Sequence, residues 1–256
     1  MIVTADSAHA HATQRRKSGN GWHTTFIGEN RRTRDPGAPE PDDATLYPMA
    51  FLVEKDPGAV VHPHFHRADQ YQVVVAGGGR LGRHALAGVE VHYTDAYSAY
   101  GPIVAGEDGI AWFTLRNAWD PGARYMRDAR AELRAARATN HQHREAVAGS
   151  ILPLSDTALA ALTQAVCQPI LGPGADGLAT WHCKLPASAA MQGPDPATGG
   201  GQFWVVLAGS LATDGSALMP PKSCAFVAPD DAAPTVRAGE GGAEALCLQF
   251  PRRPWH

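Results

Sequence analysis

Gly58-Ala59-Val60-Val61-His62-Pro63-His64-Phe65-His66 is the most informative stretch of this sequence, and Gln70 and Gly77 continue its pattern. In an extended strand, every second side chain points to the same side. The three alternating histidines are therefore predicted to share one face, close enough together to bind one metal ion. Gln70 adds an oxygen donor, and the apolar residues 73–75 predict a following strand. The spacing favours a metal site on a β-hairpin.

The composition limits the class of protein. The chain has 256 residues, of which 44% are hydrophobic and 18% charged, enough for one large or two modest cores. Its net charge is −3 and its basic residues are scattered, so no nucleic-acid partner is expected. No apolar run approaches the roughly 18 residues that span a bilayer, and the first residues lack the apolar core of a secretory signal. We expect no membrane partner and a cytoplasmic location.

The four cysteines all lie in the second half of the chain, without a C-x-x-C pair. We interpret them as reduced thiols of the core, the alternatives being disulfides or a thiolate site. They are Cys167, Cys183, Cys224 and Cys247.

The chain is predicted to be mainly β. Residues 1–20 are Ala/His-rich and polar and are expected to form a loose arm. Short strand candidates then alternate with glycine-bearing turns, a spacing that favours a sandwich or barrel. The candidates are 22–27, 46–55, 60–66, 70–76, 80–85, 89–93, 103–105 and 110–115.

Two helices are predicted between two β-rich regions. Asp120 and Pro121 are typical of a helix start, and apolar residues at helical spacing predict a helix over 123–138. A second helix is predicted over 156–166, with Ser155 as its cap. We therefore interpret residues 120–170 as a helical inter-domain segment.

The second β region repeats the first. The octapeptide at 70–77 (QYQVVVAG) matches the one at 202–209 (QFWVVLAG), and Ala-Gly-Glu at 105–107 recurs at 238–240, a shared offset of about 132 residues. We infer a duplicated domain, with copies over 21–119 and 171–256. In the second copy, the positions equivalent to His64 and His66 fall in a histidine-free segment, so we expect it to be metal-free.

Gly58, His64, His66, Gln70 and Gly77 reproduce the motif G-x5-H-x-H-x3,4-E-x6-G, with Gln70 in place of its glutamate. This motif is the first signature of the cupin superfamily, and with the internal repeat the chain resembles a bicupin. The resemblance implies two double-stranded β-helix (cupin, or jelly-roll) barrels. It also implies a metal held inside one barrel by two histidines, a carboxylate and a later histidine.

The second cupin motif is poorly matched, and this leaves the fourth ligand open. Counting forward places Tyr97 near its glycine and Tyr100 near its histidine, while His92 and His62 are further donors. We prefer His92 over Tyr100, because imidazole binds a metal without the cost of deprotonating a phenol. Imidazoles plus an amide oxygen suit one divalent transition metal, with Fe, Ni, Zn, Mn or Cu all acceptable.

Two functions are consistent with the sequence. The favoured one is a metal-dependent enzyme acting on a small molecule, first by dioxygenase-like oxidation and next by isomerase or lyase chemistry, with Tyr97 and Tyr100 as catalytic candidates. The alternative is a non-catalytic small-ligand-binding or scaffold bicupin. The His64/His66 pair supports the enzyme, and Gln70 in place of Glu supports the binding protein. The second barrel is expected to act as scaffold and homodimer surface.

Overall fold

The computed structural model describes residues 1–31, 33–35, 37–42, 45–137 and 143–252. The chain divides into two compact units. We call Arg15–Ile151 the N-terminal unit, and Met1–Gln14 together with the chain from Leu152 onward the C-terminal unit. Both are built mainly from antiparallel strands, as the sequence predicts. In the described residues, no helix has the length and apolarity needed to cross a membrane.

The elements follow one another along the chain in this order: β1 (Ile2–Ala5), α1 (Ser7–Gln14), β2 (Arg15–Lys17), β3 (Gly21–Ile27), β4 (Leu46–Lys55), β5 (Val60–Val61), β6 (His64–Phe65), β7 (Gln70–Leu81), β8 (His84–Ala87), β9 (Val89–Thr94), β10 (Ile103–Ala118), β11 (Arg124–Tyr125), α2 (Met126–Arg137), β12 (Glu145–Ile151), α3 (Asp156–Ala160), β13 (Val166–Leu171), β14 (Ala179–Leu185), β15 (Ala190–Gln192), β16 (Gln202–Ala212), β17 (Cys224–Val227) and β18 (Thr235–Gln249).

The two units share one strand order. The sheet of the N-terminal unit runs β12-β9-β7-β10-β4-β3-β2, and that of the C-terminal unit runs β1-β17-β16-β18-β14-β13. The repeated octapeptide begins β7 in one unit and β16 in the other. β7 lies between β9 and β10, and β16 lies between β17 and β18, where the long strands β10 and β18 carry the repeated Ala-Gly-Glu. The repeat in the sequence therefore coincides with a repeat in topology.

The repeated glycine at the end of each octapeptide has the same structural role in both units. Gly77 has φ +66°, and a Cβ there would lie 2.2 Å from the carbonyl oxygen of Gly109. Gly209 has φ +67°, and a Cβ there would lie 2.1 Å from the carbonyl oxygen of Gly242. Only glycine permits both this backbone conformation and such a close approach of the neighbouring strand.

The helices are shorter than predicted. α2 begins at Met126, because residues 124 and 125 pair instead with β6, and the last residue of the predicted helix, at 138, lies outside the described residues. Asp120 does not cap this helix and is buried at the cavity described below. α3 ends at Ala160, and its predicted cap is confirmed, since the Ser155 hydroxyl accepts a hydrogen bond from the Ala158 amide.

The expectation of a loose arm over residues 1–20 is wrong. β1 pairs along its whole length with β17, and Ile2 packs against the core of the C-terminal unit. β2 pairs with β3 in the N-terminal unit. Ile2 and Val3 are partly buried, and the pairing with a distant strand, which the local composition does not indicate, orders this segment.

The interpretation of all four cysteines as reduced thiols is also wrong. Cys167 on β13 and Cys183 on β14 are directly opposite in the strand register and form a disulfide. Cys224 and Cys247 are free and fully buried, and burial raises the pKa of both thiols. The spacing along the sequence did not indicate the pair, because the contact depends on how two strands align.

Candidate functional site

A cavity of about 380 Å³ opens in the N-terminal unit. Alternate residues of β10 (Trp112, Thr114 and Arg116) and of β4 (Phe51, Val53 and Lys55) line it. This is the expected result of strand alternation, which sends every second side chain to the same side of the sheet. The segment after β10, from Asp120 to Ala123, also lines it.

His64 and His66 both reach this cavity. Their rings are buried and meet edge to face with centroids 5.2 Å apart. Phe65 between them points to the other side, where its ring lies 5.9 Å from that of Tyr97. The H-x-H part of the predicted ligand set is thus brought together on one face.

Arg116 occupies the space between the predicted ligands. Its side chain is only 3% exposed. Its Nη2 lies 2.9 Å from Oε1 of Gln70, and 3.0 Å and 3.2 Å from Nδ1 and Nε2 of His66, so it packs against the His66 ring. A guanidinium is a permanent cation that can only donate hydrogen bonds. It therefore occupies the place beside Gln70 and His66 that a metal ion bound to them would take.

Asp120 balances the charge of this guanidinium. It is fully buried, its Oδ1 lies 3.4 Å from Nη1 of Arg116, and it accepts hydrogen bonds of 2.8 Å from the ring Nδ1 of His66 and from the amides of Arg67 and Gly122. Burial alone would raise the pKa of Asp120. The opposing charge of Arg116, with the hydrogen bonds, instead holds that pKa well below its usual range, so the carboxylate is ionised.

His64 is neutral. Burial, with a smaller contribution from His66, lowers the pKa of His64 from 6.5 to about 3. Burial also lowers the pKa of His66, and the nearby Arg116 adds to the effect. The Nδ1 of His64 donates to the carbonyl of His62 at 2.7 Å, which leaves Nε2 as an acceptor without a hydrogen-bond partner among the described residues.

Tyr100, one of the two catalytic candidates, lies at the site. Its backbone pairs with that of His64, and its ring is 4.6 Å from the His64 ring. The phenol oxygen accepts a hydrogen bond from Nε2 of Gln70. Burial raises the pKa of Tyr100 above its ordinary value, so the phenol stays protonated. Tyr97, the other candidate, packs on Phe65 and is not among the residues that line the cavity.

Two of the proposed additional ligands are placed elsewhere. His62 is exposed, because the strand breaks at Pro63 between β5 and β6, so the three alternating histidines do not form one continuous face. His92 is buried, but both ring nitrogens are engaged, Nδ1 at 2.9 Å from Gln72 Oε1 and Nε2 at 2.8 Å from Glu145 Oε1. The hydrogen bond from His92 lowers the pKa of Glu145.

This arrangement does not fit a divalent metal. Of the five predicted ligands, only His64 presents a free ring nitrogen to the cavity, since Gln70 and His66 are bonded to Arg116. Across the residues that the structure describes, no group of three or more His, Cys, Asp or Glu side chains could hold a metal ion. A divalent cation would also lie beside the guanidinium, which repels it.

Arg116 and Asp120, the buried ion pair of the site, are not among the site residues predicted from the sequence. The predicted strand over 110–115 stops three residues before the end of β10 at Ala118 and so leaves out Arg116, and Asp120 is predicted as a helix start. An available signal was the spacing itself, because an arginine followed four residues later by an aspartate, at the end of an apolar strand, is an unusual pair of charges to bury.

The C-terminal unit has a neutral counterpart of this site. Gln202, equivalent to Gln70 in the repeat, donates to Oε1 of Gln249 on β18 at 2.8 Å. Gln202 and Gln249 are directly opposite in the register of β16 and β18. In the N-terminal unit, Tyr71 is opposite Leu115, so the next pair along β7 and β10 is Gln70 and Arg116. Trp204, equivalent to the cavity-lining Gln72, is fully buried in the core of its unit.

Comparison with models of protein families and with curated proteins gives no match. Similar solved structures include a Nostoc punctiforme protein provisionally described as a dioxygenase (13% identity, TM-score 0.59, covering 97% of this chain and 82% of that one). Two others are the Escherichia coli pirin YhhW in complex with nickel(II) (11%, 0.55, 99% and 100%) and the Bacillus subtilis oxalate decarboxylase, studied for its Mn(II) centres (15%, 0.55, 99% and 78%). At identities of 11–15%, these likenesses show a shared fold.

Proposed function

We propose that this chain is a bicupin whose N-terminal unit binds a small organic anion in the cavity beside Arg116. The observation that carries the proposal is the buried guanidinium at the wall of a cavity of about 380 Å³, in the place where the motif predicts a metal. A cavity of this size lies in the range of small-molecule sites. The common strand order of the two units supports the bicupin part.

The charge of the lining favours an anion. The described lining contains three Arg or Lys residues, Arg31, Lys55 and Arg116, and one acidic residue, Asp120, in a chain whose overall net charge is −3. A cleft lined by one sign of charge between low-dielectric walls concentrates ligands of the opposite sign. The cationic lining is therefore a local feature that the overall charge does not explain.

The rest of the lining suits a flat apolar body. Phe51 and Trp112 lie on the sheet, Tyr100 lies beside His64, and Tyr125 is near the opening with its side chain 44% exposed. Aromatic walls with a few placed polar groups are the usual design of a small-molecule pocket. An aromatic or unsaturated carboxylate matches both the charge and the walls.

Calorimetric titration with benzoate and with the neutral, nearly isosteric benzamide tests this proposal. We expect benzoate to bind the wild type more tightly than benzamide, and Arg116→Met to lose roughly tenfold or more of the benzoate affinity. Arg116→Lys should retain part of it. Gln249→Met, the equivalent change in the C-terminal unit, is the matched control and should bind as the wild type does. Equal affinity for benzoate and benzamide would contradict the proposal.

Metal-dependent oxidation of a small molecule is the second candidate. The neutral His64 and His66 rings, both competent to bind a transition metal, favour it. The similar structures include one with nickel(II), one with Mn(II) centres and one provisionally described as a dioxygenase. This function requires Arg116 to move away from His66 and Gln70. Elemental analysis of the purified wild type and of His64→Ala/His66→Ala distinguishes the candidates, because only the metal enzyme should contain a metal that the double variant loses.

In this proposal the C-terminal unit is a scaffold. Its Trp204 fills the space that Gln72 leaves open in the N-terminal unit. We also propose that this unit carries the homodimer surface, which light scattering coupled to size-exclusion chromatography would test. A monomer at micromolar concentration would contradict it.

A further inference from the structure

We infer that the guanidinium of Arg116 is a resident cation that holds the place of a divalent metal in the N-terminal unit, and that a divalent-ion site forms there when this side chain is removed. The inference goes beyond the proposed binding function, because it concerns the cation that the barrel itself supplies. It makes Arg116 the residue that determines whether the barrel is a metal site.

The first step is positional. Nη2 of Arg116 lies 2.9 Å from Oε1 of Gln70 and packs against the ring of His66, 3.0 Å from its Nδ1 and 3.2 Å from its Nε2. A metal ion held by Gln70 and His66 would lie in the same space. A metal ion and this side chain therefore compete for one place and for the oxygen of Gln70.

The second step concerns charge. Asp120 is the acidic residue among the described lining, and it is already paired with Arg116. A divalent ion added beside the guanidinium would meet a like charge without a new compensating carboxylate. Gln70, where the motif has Glu, contributes none. The charge of Arg116 is balanced by Asp120, and no second carboxylate is left among the described lining residues to balance a metal ion.

The third step concerns what remains after Arg116 is removed. Nε2 of His64, Nε2 of His66 and Oε1 of Gln70 would then share one cavity with open positions for water. Asp120 would continue to accept the Nδ1–H of His66 at 2.8 Å. A carboxylate that holds the far nitrogen of a histidine is the usual outer partner of a metal-binding imidazole, and it fixes the tautomer that leaves Nε2 free.

The test is a nickel(II) titration of tag-free, chelator-treated protein, with metal content measured after desalting. We expect Arg116→Met to take up about one equivalent, roughly a hundredfold more tightly than the wild type. This uptake should disappear when His64→Ala and His66→Ala are added. Arg116→Lys, which keeps the positive charge, and Gln249→Met, the matched change in the C-terminal unit, should behave as the wild type does.

Arg116→Gln is a second route to the same result, because it introduces the side chain that the C-terminal unit carries at the equivalent position, and circular dichroism shows whether each variant is folded. Stoichiometric, His64-dependent nickel uptake by the wild type would overturn the inference. So would folded Arg116→Met and Arg116→Gln variants that take up no more nickel than the wild type. Benzoate binding by the wild type is measured separately, so the failure of the proposed function and the failure of this inference are distinguishable.

Discussion

Gln70 accepts a hydrogen bond of 2.9 Å from Arg116 across the neighbouring strands β7 and β10. The C-terminal unit has a cross-strand bond at the equivalent place but in the opposite direction, with Nε2 of Gln202 donating to Oε1 of Gln249 at 2.8 Å. The glutamine of the repeat is thus paired across the strands in both units, with a cation in one and with a neutral amide in the other. A polar cross-strand pair is common to the two units, and its charge distinguishes them.

Asp120→Asn should strongly destabilise the chain. The substitution removes the negative charge that balances a buried guanidinium, and breaking one member of a buried pair costs about 3–5 kcal/mol of the free energy of unfolding. Urea denaturation measures it. Asp128→Asn is the control, because that carboxylate is 68% exposed in a surface pair with Arg127, and its loss should change stability by less than about 0.5 kcal/mol. Equal effects of the two variants would show that Asp120 does not balance Arg116.

The stability of the chelator-treated protein should fall as the pH is lowered below about 6.5. The pKa of His64 is lowered from 6.5 to about 3 in the folded chain, so between these values the unfolded chain binds a proton that the folded chain does not. His64 alone should lower the free energy of unfolding by about 1.4 kcal/mol by pH 5.5, and His66 should lower it further. Urea denaturation from pH 8 to 4 should show a smaller slope for His64→Gln. An unchanged slope would mean that His64 is protonated in the folded chain.

Gly77→Ala and Gly209→Ala should each lower the free energy of unfolding by about 2 kcal/mol or more. Both substitutions place a Cβ against the backbone of the next strand, at a residue whose φ is positive. Gly58→Ala is the matched control. Gly58 has φ +70° with nothing within 4 Å of an added Cβ, so its substitution isolates the conformational cost of about 1 kcal/mol. Thermal or urea denaturation of the three variants measures these costs. A large difference between the effects at 77 and 209 would argue against a common role of the two glycines.

Joint substitution of His182 and Gln202 by alanine should destabilise the C-terminal unit without affecting the site of the N-terminal unit. His182 donates to Glu244 at 2.6 Å, and Glu244 is fully buried, so the lost partner should cost about 3 kcal/mol. Benzoate binding and nickel uptake by the folded variant should equal those of the wild type. If the purified wild type contains about one metal equivalent and this variant loses it, the metal site is in the C-terminal unit instead.

The fold was largely predictable because its signals are local. The strand predicted over 46–55 is confirmed as Leu46–Lys55, and the two matching octapeptides begin equivalent strands. The alternation of apolar and polar neighbours indicates a strand, and a fixed period indicates a repeat. The strand β1 within residues 1–20 was not predicted, because it is defined by its pairing with β17, which lies more than 200 residues away in the sequence.

The site was predictable only in part, for the same reason. His64, His66 and Gln70 lie within seven residues, and local spacing brings them to one place. Arg116 is 46 residues from Gln70, and its contact depends on the register of β7 against β10, which the sequence alone does not determine. Asp120 reaches His66 only because the chain turns back over the cavity after β10. The Cys167–Cys183 pair was missed through the same dependence on register.

The residue that faces the repeated glutamine, Arg116 in one unit and Gln249 in the other, bears on how two such units diverge. The arginine codons CGA and CGG differ from the glutamine codons CAA and CAG by a single base, and both side chains bond to the glutamine of the neighbouring strand, arginine as donor and glutamine as acceptor. On the duplicated-domain proposal, one mutational step at this position exchanges a charged interior for a neutral one while the sheet keeps its alignment. Two copies of one ancestral barrel can therefore differ in the charge of their interiors while they keep the same fold.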